Sequence, residues 1–514
     1  MQSKRDQVQA HAFAIGRLTS GMLLADPDAP ESPLARTTRG AAVGVLVAAL
    51  VGAGAVVYGL ISPGGDDSWR ASDTLIVNRD TGGRYLYLDG RLRPVRNYAS
   101  ALLIGAGDLK TTDVRGASLR GTPVGTPVGI PGAPDSVPSA KDLDGGAWHV
   151  CSAPRSAASA ASASASASAS ASASASASAS ATVTTLVAGA PVRSRPMADD
   201  QALLVSGPDR TAYLVWRGSR LRLDRASGAA VSLGYGSVTP RPVSAAFLDA
   251  MVPGPDLAPP AVPGRGYAGP SLGGARGTVG RVYVVRVPGS DPKYYLLRKE
   301  GLTPLTATGA ALVLGDPATR EKAYGGRSPK AEPLGADVLR DHLAPGVRSS
   351  GSAGSAGLPD SPPRVAGVPD GLTACAQVQA VDGVVRVSTV LVSRDGLAPA
   401  AQSAPGESAA ACLPVDAVVV RPGHAALVRT LGAGGTAVGG TAYLVAEDGV
   451  KYRVTSGDAL KALGYGEGDA VALPSPLLSM LPSGPDLDTR AAAAGEPTGT
   501  TPPACGKAPD ARGR

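Results

Sequence analysis

The sequence predicts an α+β protein with a single N-terminal transmembrane helix. An elongated extracytoplasmic region follows, in which a central β-rich domain is joined by four small α/β repeat domains in a quasi-two-fold arrangement. Three observations predict this. One long run, Gly40 to Ile61, carries no charge; three words recur in register in the two halves of the chain; and β-branched segments lie between the recurrences. Composition points the same way: Gly (67) and Pro (45) exceed a fifth of the 514 residues, which suits several small domains better than one large enzyme core. A hydrophobic content of 43% argues against wholesale disorder. The net charge of +7 comes from basic and acidic residues interspersed along the chain, with no basic block of the kind nucleic-acid binding requires.

The elements follow in chain order. Val8, Ala12, Ile15, Leu18 and Met22 recur at helical spacing after Asp6, an available cap, and predict an amphipathic helix. Alone it is marginal in water, so it leans on a membrane or a partner. The Pro-rich stretch from Asp26 to Leu34 ends it. Gly40 to Ile61 is the uncharged run, long enough as a helix to cross roughly 30 Å of hydrocarbon. Arg36 and Arg39 flank it on one side, and Asp66 and Asp67 on the other. The positive-inside rule therefore places the N-terminus in the cytoplasm and the large remainder outside. The mixed, charge-bearing sequence 1–39 ahead of the run disfavours a cleaved signal peptide.

Beyond the anchor, Thr-Ala-Tyr-Leu-Val occurs at 211–215 and 441–445, Leu-Gly-Tyr-Gly at 233–236 and 463–466, and Gly-Pro-Asp-Leu at 254–257 and 484–487. The offset shared by all three words defines two copies of one unit. A fainter pair has its own constant offset: Tyr85-Leu86, Pro94 and Ala101-Leu102 fall on Tyr295-Leu296, Pro304 and Ala311-Leu312, and Gly105 on Gly315. Asp89-Gly90 and Asp448-Gly449 stand between β-type segments as hairpin turns. Ser456 reads as a helix cap, Gly464 as a residue of positive φ, and Ser475 as a cap ahead of Pro476. Thr182 to Ala188, Val378 to Val381 and Val384 to Val392, with Asp382-Gly383 as a turn, suggest a central sheet, with Trp148 to Cys151 at its edge.

The expected organisation is a cytoplasmic helix and linker at 1–39, the anchor at 40–61, and repeat unit one at 62–140. The first part of the central domain follows at 141–200, unit two at 201–266 and unit three at 278–345. A flexible linker (346–371), the second part of the central domain (372–420), unit four (421–488) and a disordered tail (489–514) complete it. The Ala-Ser repetition at 157–181 buries almost nothing and should be a disordered insert. Four cysteines, Cys151, Cys375, Cys412 and Cys505, are widely separated and lack metal spacing. Outside the cytoplasm an even count reads as disulfides.

Gln7-Val-Gln-Ala-His11, Phe13, Arg17-Leu18, Pro27-Asp28, Pro33-Leu34 and Arg39, followed directly by one anchor, resemble the N-terminus of the EccB family. EccB is the core membrane component of the type VII (ESX) secretion systems of actinobacteria. The resemblance continues through Tyr85-Leu86, Asp89-Gly90, Pro94-Val95, Asn97 and Gly129-Ile-Pro-Gly-Ala-Pro-Asp135. It implies a structural, membrane-anchored subunit that takes part in protein export. EccC-, EccD- and EccE-like membrane subunits are the implied partners, EccC being the motor, with self-association through the outer domains. It also implies a central-domain disulfide at the positions of Cys151 and Cys375, and leaves Cys412 with Cys505 as a possible second pair. Val8, Ile15, Leu18 and Met22 are then the cytoplasmic assembly residues, and Arg36 and Arg39 the anchor flanks.

No catalytic, cofactor-binding or metal-ligating residue is expected, and no cofactor. ATP hydrolysis, ascribed to some members of the family, would need Gly-x-x-x-x-Gly-Lys-Ser/Thr; Gly325-Gly-Arg-Ser-Pro-Lys330 is the nearest string and lacks the second Gly and the hydroxyl. No Gly-x-Ser-x-Gly elbow occurs. His149 beside Trp148 reads as a sheet-edge residue rather than a base. The alternative from another class is an anchored cell-wall-binding or sensor protein. Its glycan modules would want aromatic platforms, and the chain has 2 Phe and 3 Trp.

Overall fold

A computed structural model describes residues 4–25, 33–61, 67–71, 73–107, 109–155, 182–345, 357–381, 384–397, 408–431 and 437–500. The Ala-Ser tract, the Asp382-Gly383 turn and Cys505 lie outside the described residues. The first helix spans Lys4–Leu24, so Asp6 sits inside its first turn, where a carboxylate favours the helix dipole, rather than capping it. The second spans Pro33–Ile61 and starts ahead of the uncharged run, at a proline whose missing N–H costs nothing there. Its stretch Thr37–Val57 has a mean hydropathy of 2.3 and none of it is buried within the protein, so it is long and apolar enough to cross a membrane.

The four repeat units share one path: three antiparallel strands, a helix, and a short strand that returns parallel beside the first. In unit one these are Thr74–Asn78, Arg84–Leu88, Arg91–Pro94, the helix Tyr98–Gly105, and Lys110–Val114. Unit two runs Gln201–Ser206, Ala212–Trp216, Ser219–Arg222, Ala229–Ser232, Arg241–Pro242. Unit three runs Val282–Val285, Lys293–Arg298, Gly301–Leu305, Ala307–Gly315, Glu332–Pro333. Unit four runs Ala426–Leu431, Ala437–Val445, Lys451–Val454, Gly457–Ala462, Val471–Pro474. Asp89 (φ +50°) and Gly90 (φ +74°) both adopt the left-handed region that the tightest hairpin turn needs. At Asp448-Gly449 only the glycine does (φ +75°). Ser456 caps its helix by accepting from the Ala459 N–H. Ser475 does not cap: it is the first residue of the helix Ser475–Ser479, and Pro474 occupies the cap position.

Each repeated word has a physical role. In Gly-Pro-Asp-Leu, Asp256 takes a bidentate ion pair from Arg222 and Asp486 takes the equivalent pair from Arg453, with Nε–Oδ1 3.0 Å in both. The leucines Leu257 and Leu487 are wholly buried. The glycines lie so close to the third strand that a side chain on Gly254 would strike Leu221, and one on Gly484 would strike the Tyr452 ring. In Thr-Ala-Tyr-Leu-Val, Leu214, Val215, Leu444 and Val445 are fully buried, while Tyr213 and Tyr443 pack on one shared core. In the fainter pair, Tyr85 faces Pro94 and Tyr295 faces Pro304 in the same register.

The central sheet has the spatial order Ala417–Val419, Thr182–Val187, Trp148–Pro154, Leu372–Val381, Val384–Ser393, Ser194–Pro196. The strand containing Trp148 and Cys151 is therefore interior, not at the edge. It pairs on both sides because Leu372–Val381, from the far half of the chain, adds to it. Each half supplies three strands, and the third of each crosses to the outer edge of the other half. Trp148, Val150, Ala374 and Ala376 face a core shared with Val205 and Phe247 of unit two and Val428 and Leu477 of unit four.

Two segments expected to be flexible are ordered. Residues 489–494 form a helix, Thr489–Ala494, capped by Asp488 and closed by Gly495 at φ +74°. Gly129 donates to the Ala492 carbonyl at 2.9 Å, so the tail fastens unit four to unit one. Residues 357–371, placed in a linker, include the strand Arg364–Val365, which pairs parallel with Gln201–Ala202 of unit two. A matching strap follows unit one: Leu143 bridges to Ala425, and Asp144 donates to the Ala425 carbonyl at 2.7 Å. The tyrosines of Leu-Gly-Tyr-Gly hold both straps. Tyr235 donates to the Pro363 carbonyl and Tyr465 to the Pro138 carbonyl, each at 2.7 Å. Burial pushes the Tyr235 phenol up to about 12. Helix partners match as well: unit one shares a core with unit four, and unit two with unit three.

Removing either hydroxyl leaves a strap carbonyl without its donor. Tyr235→Phe and Tyr465→Phe should each cost about 1–3 kcal/mol of unfolding free energy, and by similar amounts. Denaturant titration of the purified protein measures this. Wild-type stability in both variants would show that the straps do not depend on these bonds.

Candidate functional site

The sequence-derived site residues are not gathered into one pocket. They fall on three places: the N-terminal helix, the flank of the apolar helix, and the central sheet. On the helix Lys4–Leu24, Val8, Ile15 and Met22 follow one another at intervals of seven with Leu18 beside them, and all four are exposed. Met22 is the most open, at 83%. Phe13 and Leu23 are exposed too and lie off this line, Phe13 on the opposite side of the helix. Phe13 carries the Arg17 guanidinium 5.9 Å above its ring. Arg36 and Arg39 lie in the first turns of Pro33–Ile61, and the Arg39 side chain is exposed.

In the central sheet Cys151 and Cys375 stand directly opposite one another on adjacent antiparallel strands, with Cα atoms 4.0 Å apart, and are joined by a disulfide. They face away from the core shared by units two and four and pack with Val390 and Val392. Cys412 is also disulfide-bonded.

His149 shares the disulfide's face and is 2% exposed, and neither ring nitrogen makes a well-formed hydrogen bond among the described residues. Burial, offset only in part by the nearby Ala147 backbone, holds its pKa below the usual histidine value, so it is a neutral, packed residue rather than a sheet-edge one. Trp69 and Trp148 are buried and structural. Trp216 lines an open groove of 650 Å³ between unit two and residues 358–364. Its indole donates to the Asp199 carbonyl at 2.9 Å, and Arg217 lies 4.8 Å over the ring. Four of the charged residues that line the groove pair with each other, Arg217 with Asp199 at 2.9 Å and Arg364 with Asp200 at 3.2 Å, and Asp360 lines it as well. Gly325 does not open a helix as a phosphate loop would; it closes Pro317–Tyr324 in the left-handed conformation, and the Lys330 carbonyl accepts from Tyr324. Among the described residues no three His, Cys, Asp or Glu side chains converge to hold a metal ion.

The buried neutral His149 makes stability depend on pH. Below the unfolded value of about 6.5 the unfolded chain takes up a proton that the folded chain refuses. Stability is therefore full above that pH and declines as pH falls toward the lowered folded value. Unfolding free energies at pH 7.5, 6 and 5 should show this decline, and His149→Phe should flatten it. An equal slope in the variant would assign the effect to other groups.

A family model described as "Type VII secretion system ESX-1, transport TM domain B" matches residues 1–499. The chain is 26% identical to "ESX-3 secretion system ATPase EccB3" of Mycolicibacterium smegmatis, over 94% of this chain and 89% of that one. It is 28% identical to "ESX-2 secretion system ATPase EccB2" of Mycobacterium tuberculosis, over 95% and 94%. Its fold is similar to a chain of an intact ESX-5 inner membrane complex, with a TM-score of 0.62 at 23% identity over 99% of this chain and 98% of that one. It is also similar to a chain of an EccB3 dimer from the ESX-3 core complex, with a TM-score of 0.61 at 23% identity over 82% and 99%. With a model matched from the first residue through the docked helix Thr489–Ala494, the chain belongs to the EccB family and is a structural, membrane-anchored subunit of a type VII secretion complex.

Proposed function

We propose that the chain joins the cytoplasmic and outer parts of the export machine, with its N-terminus in the cytoplasm and the chain beyond Gly65 outside. The observation that carries this reading is the division of the chain by one apolar span. An exposed helix with an apolar stripe precedes it, and a duplicated, disulfide-linked body follows. Arg36 and Arg39 before the span and Asp66 and Asp67 after it support the orientation. The partners on the cytoplasmic side are EccC-, EccD- and EccE-like subunits, met by Val8, Ile15, Leu18 and Met22 as a helix laid in a groove. On the outer side the body associates with further copies of itself, in keeping with the relative solved as a dimer. The name ATPase carried by relatives is not extended to this chain, whose sequence lacks the phosphate-loop string.

Two experiments test the reading. Protease added outside intact spheroplasts should degrade the chain beyond Gly65, and protection of the large body would reverse the orientation. Deleting Gln2 to Ala25 should leave the body folded but abolish secretion and co-purification of the other membrane subunits. Normal secretion by that deletion would favour the wall-binding alternative. Removing the Ala-Ser tract 157–181 should leave secretion unchanged, because loop-closure cost rises slowly with length.

A further inference from the structure

Arg241 stands where unit four, the second copy of the same repeat, has an aliphatic residue and units one and three carry Thr112 and Glu332. It lies on the returning strand of unit two, opposite Val205, which in turn faces Tyr213 of the repeated word. In unit four the same geometry places Val471 opposite Val428, which faces Tyr443. Arg241 and Val471 are also separated by the same offset as the flanking words. Val471 packs on the apolar core. The architecture is therefore satisfied by valine at this place, and the arginine is an addition specific to unit two.

That arginine is poorly provided for. Its Nε and Nη2 are buried and meet no acceptor among the described residues. Burial first, and the charge of Arg394 second, hold its pKa below the usual arginine value, and no carboxylate among the described residues counters them. Three residues on, Ser244 donates its N–H to Ser152 Oγ of the central sheet. Arg394 follows the strand Val384–Ser393 and donates its backbone N–H to the Gly371 carbonyl. Arg241 and the exposed Arg394 thus belong to the junction where unit two's edge strand meets the end of the central sheet. A half-buried guanidinium with two buried, open donors and a like charge nearby costs free energy that an anion recovers.

We propose that Arg241, assisted by Arg394, is a binding site for an oxyanion of the phosphate class at the junction of unit two and the central sheet. The guanidinium fork matches two oxygens of such a group, and an arginine is less strongly hydrated than a lysine, which favours this exchange of water for ligand. The site would couple the ligand to the seating of unit two on the central sheet, because Arg241 and Arg394 come from those two parts.

The test is isothermal titration and thermal unfolding of the full-length protein in detergent, with inorganic phosphate as the probe and chloride at equal ionic strength as the reference. Saturable binding with a rise in unfolding temperature is expected for the wild type. Arg241→Val, which installs the residue of unit four and keeps the fold, should abolish both. Arg394→Gln should weaken binding at least tenfold. A wild type that responds to phosphate no more than to chloride would overturn the proposal, as would an Arg241→Val variant that still binds.

Discussion

The pairing of Trp148–Pro154 with Leu372–Val381 is the constraint on which the rest of the body depends. These strands come from opposite halves of the chain, and Cys151 and Cys375 face each other at their middle, at a sequence separation of 224. The pseudo-two-fold relation passes through this point. On either side lies the second strand of each half, and beyond it the edge strand donated by the other half. Neither half completes the sheet alone. Units two and four then pack on one face of it, and units three and one are held by the straps and by helices shared with units two and four.

Small domains with few large aromatic residues bury little surface each, so they gain from leaning on neighbours. The structure meets this need with polar fastenings at the duplicated positions as well as apolar cores. Tyr235 and Tyr465 reach strap carbonyls, and Arg222–Asp256 and Arg453–Asp486 tie the last segment of their units to the third strand. Where the duplicates differ, structural need and added chemistry separate. Arg241 against Val471 is the clearest case, because one copy shows that the fold is content with a side chain that brings no charge.

Local features were legible in the sequence. The uncharged run is a helix, Asp89-Gly90 is a tight turn, Ser456 is a cap, and the repeated words mark equivalent strands and turns. What was not legible depends on contacts between distant segments. Trp148 to Cys151 could be read as a strand, but its interior place needed the partner Leu372–Val381. The segments 357–371 and 489–494 look like linker and tail because their Pro, Gly and Ala content carries little pattern. Their order comes from receptive surfaces elsewhere: the edge at Gln201–Ala202 and the helix of unit one. Of the candidate site residues, Val8, Ile15, Leu18 and Met22 were legible by spacing. Phe13 lay off the stripe and is visible as part of the exposed surface only once the helix is built.

The most direct measurement is equilibrium unfolding of the oxidised full-length protein beside a Cys151→Ser, Cys375→Ser double variant. If the linked strands are the keystone of the body, the bond restricts an unfolded loop set by the sequence separation of 224 between the two cysteines. The variant should then lose about 5 kcal/mol on the chain-entropy model, with units two and four unfolding earlier. A double variant as stable as the wild type, unfolding in the same single transition, would contradict the account.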